Sequence, residues 1–369
     1  MPLAAAGGPC QTPAVTARRR SAAGPPGPDG PVTLRWLAAY LKLSPASISL
    51  VLNQAPGAKA IPRATQDRIL EAARRFQYRP NTLARSLRRQ RSLTVGVLVP
   101  EISEGYTTLV LNGIEDCLLQ EGYLYFVASH RHHADLLEEY PKLLLDRAVE
   151  GIIAVDTRCS RALSVPVVAV SGHWPVKGVT NVRLNHQHAA LAALQHLFDL
   201  GHRRIAFIKG QSFSSDTTVR WQTIRAAARH LGLIIDARLV GQLEGDGPLA
   251  ELGYAVTRDL LDRGLPFTAI FAFNDMSALG AIGALRDAGR RVPEDVSVVG
   301  FDDIQSAASH NPPLTTVRQP LRQMGEVAAK TLVARIIAGP RAAYARTIQV
   351  EPTLVVRAST GPAPAGARG

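Results

Sequence analysis

The sequence predicts an α/β body of two lobes, each a parallel sheet with helices on both faces, preceded by a small all-α head carrying a helix-turn-helix. Three observations predict this. From residue 93 onward, short runs rich in Val and Ile alternate with amphipathic stretches, the pattern of buried parallel strands joined by helical crossovers. Before residue 80, apolar residues recur at helical spacing in three short segments, each bounded by its own start and stop signals. The charge is also lopsided: residues 1–92 hold 15 Lys and Arg against 3 Asp and Glu, while the other 277 residues hold 27 of each. A neutral body with a basic front end is the electrostatic footprint of a polyanion binder.

Residues 1–31 are rich in Ala, Gly and Pro, carry "RRR" at 18–20 and lack the apolar stretch of a secretory signal. They read as a disordered tail, and the protein as cytoplasmic. No segment approaches the roughly 18 apolar residues that span a bilayer, so no membrane partner is expected. Cys10, Cys117 and Cys159 are odd in number and widely spaced, which fits neither a disulfide framework nor a zinc site. No metal and no cofactor are expected.

The head occupies 32–79. In "TLRWLAAYLKLSPASISLVLN", Thr33 caps a first helix with Leu34, Leu37, Ala38 and Leu41 on one face, and Lys42–Leu43 breaks it. Ser44 and Pro45 open a second helix as capping hydroxyl and N1 proline. Ile48, Val51 and Leu52 form its inward face; Ala46, Ser47, Ser49 and Leu50 form the other, and Asn53 follows at its end. "RATQDRILEAARRFQY" predicts a third helix with Ile69, Leu70, Ala73 and Phe76 inward. Two short helices joined by a tight turn, the second presenting small and polar residues, suit insertion into a DNA major groove. Any other small three-helix domain is the alternative.

The string "YRPNTLARSLRRQR" at 78–91 carries nearly all of segment 80–92: two leucines four apart, Leu83 and Leu87, among arginines. Alone in water so short and basic a helix does not hold, because nucleation is costly and like charges repel. The strings "VTL…LAAYLKLSPASISLVLN", "YRPNTLARSLR" and "TVGVLVPEIS", in this order, resemble the LacI/GalR family of bacterial transcriptional regulators, a resemblance that extends over about residues 32–357. It implies that 80–92 is a hinge helix that folds in the minor groove of double-stranded DNA as part of a homodimer on a pseudo-palindromic operator. Leu87 matches the wedge between central base pairs and Ala84 the small residue that permits close approach, with Asn81, Arg85 and Arg88 beside them. An apolar wedge unstacks a base step while the flanking arginines neutralise phosphate. The alternative is a helix packed on its own domain. The chain departs from the family at Leu50, where Arg or His is usual; a leucine offers contact to a thymine methyl instead of a bidentate guanine contact. Trp36 replaces an acidic residue, Lys42 replaces the turn glycine, and the loop "QAPGAKAIP" is long.

In the body, "LTVGVLVP", "YLYFVAS", "GIIAVD", "VPVVAVS", "RIAFIKG", "ARLVGQ", "AIFAFND" and "VSVVGFDD" read as eight strands, too many for one comfortable sheet, with a seam between lobes near "KGVTNVRLN". The resemblance implies the periplasmic-binding-protein-like fold, with 93–184 and 318–344 in the first lobe, 185–317 and 345–358 in the second, and 359–369 as a disordered tail. Ligands of such sheets sit beyond the carboxyl ends of strands, where the sequence places Asp156, Asn274, Asp275, Asp302 and Asp303. Arg220, Asn274 and Asp302 match the family's effector-binding positions, and an arginine fork facing carboxylate and carboxamide groups suits a polyhydroxylated or planar polar molecule. Asp275 and Asp303 are read instead as caps of the helices that follow. Tyr106 and Trp221 are candidate stacking faces, with a core role as the alternative. "EGYT" stands where an Asn-Pro-aromatic run is frequent.

"SHRHH" at 129–133 invites a metal reading but lacks a completing ligand pattern, so a solvated loop is expected. With no nucleophile elbow, P-loop or GxGxxG accompanying the carboxylates, no enzyme is expected. The sequence therefore points to a sequence-specific DNA-binding regulator, a repressor, controlled by a small-molecule effector that is expected to be a carbohydrate. The competing class is a solute-binding protein of a transport system.

Overall fold

The computed structural model describes residues 32–78, 91–102, 105–245 and 249–365. The chain forms two compact units that divide after Arg89. Asn81, Ala84, Arg85, Leu87 and Arg88 lie outside the described residues.

The described head holds three α-helices, α1 (Leu34–Leu41), α2 (Pro45–Leu52) and α3 (Arg63–Arg75), with a 3-10 turn at Pro56–Ala60 between the last two. Thr33 accepts from Trp36 N at 3.1 Å, and Lys42 ends α1 in the left-handed conformation (φ 57°) that a turn glycine would take without strain. Ser44 Oγ accepts from Ser47 N at 3.0 Å to start α2. Leu37, Ile48 and Ile69 are fully buried at the centre. Leu70, expected inward, is exposed, and Ala72 takes the inward place; a helix advances about 100° per residue, so with Ile69 at the core its successor turns outward. Trp36, Tyr40 and Phe76 form an aromatic group, Trp36 and Tyr40 stacking at 5.5 Å with Phe76 edge-on to both.

The body contains two six-stranded sheets. The first has strands β1 (Thr94–Val99), β2 (Leu124–Ser129), β3 (Gly151–Val155), β4 (Val167–Val170), β5 (Val179–Leu184) and β11 (Thr347–Val350), in the order β11-β5-β4-β3-β1-β2. The second has β6 (Ile205–Lys209), β7 (Val240–Gln242), β8 (Ala269–Phe271), β9 (Ser297–Asp302), β10 (Thr315–Arg318) and β12 (Thr353–Val355), in the order β12-β10-β9-β8-β6-β7. Every pairing is parallel except β10 with β12. Val and Ile fill β1 and β3 because both faces are covered. Edge strand β2 is the exception: Leu124, Phe126 and Val127 are exposed.

Crossover helices are α4 (Tyr106–Gln120), α5 (Ala134–Asp146), α6 (His186–Asp199), α7 (Ser215–His230), α8 (Leu249–Asp262), α9 (Asp275–Asp287), α10 (Gln305–Ser309) and α11 (Leu321–Ala338). The chain leaves the first lobe after β5, returns between β10 and α11, and leaves again between β11 and β12. The last crossing is thus at 351–352 and not near 345, because β11 pairs with β5. The expected seam near "KGVTNVRLN" falls at the end of that string: most of it is strand β5 of the first sheet, and the chain crosses directly after Leu184. Residues 359–363 are packed and not a disordered tail: Ser359 is fully buried and donates to Val298 O at 2.6 Å, and Ala363 N donates to Leu200 O at 2.8 Å. Arg91 belongs to the body, its Nε donating to Glu150 Oε2 at 2.8 Å.

Candidate effector cleft and nucleic-acid face

A cavity of about 620 Å³ lies between the lobes, beyond the carboxyl ends of the strands, lined from one side by Tyr106, His132 and Asp156 and from the other by Asp216, Arg220, Phe273, Asn274 and Asp302. Its size suits a small ligand. Asp156 follows β3 and Asp302 ends β9, both with positive φ (39° and 115°). Non-glycine residues held there cost roughly 1–3 kcal/mol, and here the backbone aims each carboxylate into the cavity.

Arg220 stands on the second lobe's side of the cavity. It is buried, with its guanidinium carbon 3.7 Å from the Phe301 ring centroid and 4.4 Å from that of Phe273. Nη2 donates to Asp216 Oδ2 at 3.1 Å and Nη1 to the Phe273 carbonyl, while Nε has no hydrogen-bond partner. Asp216 was not singled out from the sequence, although its i,i+4 relation to Arg220 was a usable signal. Burial alone would raise its carboxyl; His173, His186 and Arg220 outweigh that and hold it well below the usual range.

Asp156 Oδ1 accepts from Ser215 Oγ at 2.8 Å, a bond from one lobe to the other. Burial and the nearby Asp216 charge raise its pKa to about 7. Burial likewise raises Asp302 to about 7, against the opposing pull of Arg220 and of Gln319, whose Nε2 donates to it at 2.6 Å. Tyr106 Oη lies 2.6 Å from Ser171 Oγ. Asn274 lines the cavity and caps α9, accepting from Ser277 N at 2.9 Å.

Other sequence-predicted residues lie elsewhere. Trp221 is outside the cavity lining, edge-on to Phe207 with Lys209 over its ring; one residue beyond Arg220, it is turned about 100° round the helix toward the sheet. Asp275 and Asp303 do not cap helices. Asp275 is fully buried, accepting from Ile304 N at 2.9 Å and Thr316 Oγ1 at 2.5 Å, with Asn274 in the capping role. Asp303 pairs with Arg318 and Arg357, each at 2.6 Å. The 129–133 segment is not simply solvated: His130 is buried against Thr157, at 3.0 Å, and burial lowers its pKa to about 4. Its neighbours Arg131, His132 and His133, following β2, line the cavity.

In the head, Ser44, Pro45 and Ala46 are exposed at the start of α2, and Ser47 and Ser49 are half-buried. Ser47 Oγ lies 2.8 Å from Ser44 Oγ. Asn53 Nδ2 donates to Ser49 O at 2.7 Å. Leu50 is half-buried against the head's own core.

Residues 194–360 match the description of a periplasmic binding protein-like domain. The chain is 29% identical to the HTH-type transcriptional repressor PurR of Aliivibrio fischeri (strain MJ11) over 336 residues, covering 89% of this chain and 98% of the relative. It is equally similar, at 29% over 335 residues, to the HTH-type transcriptional repressor CytR of Escherichia coli (strain K12), covering 89% of this chain and 96% of that one. The fold matches the Lac repressor dimer bound to operator and the anti-inducer ONPF, with a TM-score of 0.79 and 25% identity over 90% of this chain and 100% of that one. It also matches the complex of transcriptional regulator CelR with cellobiose, with a TM-score of 0.65 and 30% identity over 89% of this chain and 99% of the other. These likenesses run through head and body together and set aside the transport reading. The chain belongs to the LacI/GalR family of transcriptional regulators.

Proposed function

We propose that the protein is a homodimeric transcriptional repressor whose head binds a pseudo-palindromic operator and whose cleft binds a small polyhydroxylated effector, a carbohydrate, that resets DNA affinity. The observation that carries this reading is the union in one chain of a Ser44-capped helix with an exposed, small-residue start and a cleft where Arg220 faces Asp156, Asn274 and Asp302. Sugar hydroxyls donate to the carboxylates and accept from the guanidinium. Because Asp156 and Asp302 sit on different lobes, a ligand bridging them favours one arrangement of the lobes, and that differential affinity is what couples the cleft to the operator. Leu124 and Phe126, both exposed on one face of edge strand β2, support a subunit interface there, since exposed apolar side chains gathered on one face mark association sites. The protein acts on DNA, hence in the cytoplasm, and needs no catalytic step.

The test is fluorescence anisotropy on operator DNA selected from a random pool, at several salt concentrations, with and without sugars found by thermal-shift screening. Expected are a steep loss of affinity with salt, a shift in affinity with the ligand, and a larger loss of specific than of non-specific binding in Leu87→Ala. Binding that ignores salt, or survives deletion of 32–92, refutes the reading.

A further inference from the structure

Beside the cavity, three side chains from three parts of the fold converge. His173 follows β4 in the first lobe, His186 opens α6 just after the first crossing, and Asp216 sits in the first turn of α7 in the second lobe. His173 Nε2 is 2.5 Å and His186 Nε2 3.5 Å from the same oxygen, Asp216 Oδ1, and the three side chains are only 4–6% exposed. Among the described residues this is the one cluster of three His, Cys, Asp or Glu groups whose ligand atoms all lie within 4.8 Å of one another.

His186 is the telling member. Its Nε2 lies 3.5 Å from Asp216 Oδ1, too long and poorly aligned for a hydrogen bond, and neither of its buried ring nitrogens has a hydrogen-bond partner. Buried polar groups are ordinarily satisfied, and an orphan calls for an explanation. A second reason is geometric: Asp216, whose Oδ1 both histidines approach, has its other oxygen held by Arg220.

We propose that His173, His186 and Asp216 form a binding site for a divalent transition-metal ion, best matched by zinc, that fastens one lobe to the other. Two imidazoles and a carboxylate are the donor set of such ions and not of magnesium or calcium, which take oxygen. Zinc holds nitrogen and oxygen ligands at about 2.0–2.2 Å in a tetrahedron, which spaces neighbouring donors by roughly 3.3 Å. The His186–Asp216 distance of 3.5 Å is already close to this spacing, the His173–Asp216 distance of 2.5 Å is about 0.8 Å shorter than it, and all three donors lie within 4.8 Å of one another. Arg220 holds the other oxygen of Asp216 and leaves Oδ1 for the ion. Three protein ligands leave a fourth position for water or for a cavity ligand, because Asp216 lines the cavity. With donors from both lobes, the ion stabilises the arrangement in which they meet. The proposal stands apart from the nature of the effector and from DNA binding.

The full-length protein, stripped with EDTA and desalted, is titrated with cobalt(II) chloride and followed by visible absorption. One Co²⁺ per chain is expected, with the intense d–d band of a four-coordinate ion, displaced by zinc chloride, and zinc raises the melting temperature. His173→Ala and His186→Ala each weaken uptake by more than the roughly 10–100-fold typical of losing an outer-shell partner. His230→Ala, exposed at the far end of α7, binds as wild type. A weak, six-coordinate spectrum or no stoichiometric uptake by the wild type overturns the site, whether or not the variants fold. Uptake that persists in both histidine variants overturns it equally.

Discussion

His132 of the first lobe and Phe213 of the second meet with ring centroids 4.0 Å apart, both on the wall of the cavity. The contact is a clasp between lobes, and an aromatic pair of this kind contributes about 0.5–1.5 kcal/mol beyond its buried area. Phe213→Ala should therefore weaken effector binding by about 2–10-fold, chiefly through faster release. Stopped-flow dissociation of the effector measures this; an unchanged release rate rejects the clasp.

Arg220 carries larger stakes. Its guanidinium is buried between two phenylalanines and paired with Asp216, so Arg220→Met leaves a buried carboxylate without its guanidinium. Removing one partner of such a pair costs about 3–5 kcal/mol. The expected outcome is a lower melting temperature together with loss of effector binding by calorimetry, while the head still binds DNA. Retained effector affinity in a folded variant would remove Arg220 from the site.

The raised carboxylates give stability a defined pH slope. Burial and the neighbouring Asp302 charge raise Asp275 to about 8, and Asp156 and Asp302 stand at about 7, against an ordinary value of 3.8. Between the unfolded and folded values the folded chain holds the proton and the unfolded chain does not. Each group's stabilising contribution is therefore complete below about pH 4 and is lost as pH rises to 7 or 8, at up to about 1.4 kcal/mol per pH unit per group. Melting temperature should fall between pH 5 and 8. Asp275→Asn should flatten this slope, as a thermal-melting series across pH will show.

Ile48 is fully buried at the centre of the head. Ile48→Ala removes packing worth about 2–5 kcal/mol, enough to unfold a unit this small. Operator binding should vanish in anisotropy while calorimetric effector binding stays within twofold, because the body is a separate unit. Equal loss of both activities would show that the units do not fold independently.

Helices α4 and α11 touch backbone to backbone: a Cβ at Gly113 would lie 1.9 Å from Arg322 O, and one at Gly325 would lie 2.0 Å from Val110 O. Gly113→Ala should destabilise the first lobe by about 1–3 kcal/mol, visible as a lower denaturant midpoint. An unchanged midpoint would mean that the helices separate freely.

By itself the sequence determined the class of each part. Val and Ile runs, Ser44-Pro45, and the placing of basic residues report local physics: backbone preference, capping and charge act within a few residues, so they are legible in one dimension. That Arg220, Asn274 and Asp302 line the cavity was legible from strand ends and from the resemblance to the family's motifs. Elements whose local signal is polar stayed hidden. Strand β5 contains Thr180 and Asn181, tolerable inside a sheet only because distant groups such as Ala345 O, 2.6 Å from Thr180 Oγ1, satisfy them. Tertiary structure alone decided that Asp275 is a buried strut, that Trp221 turns from the cleft, that residues 359–363 pack on the second lobe, and that His173, His186 and Asp216 meet. Each depends on which remote surfaces face one another, and that is settled by burial and hydrogen-bond satisfaction across the whole fold.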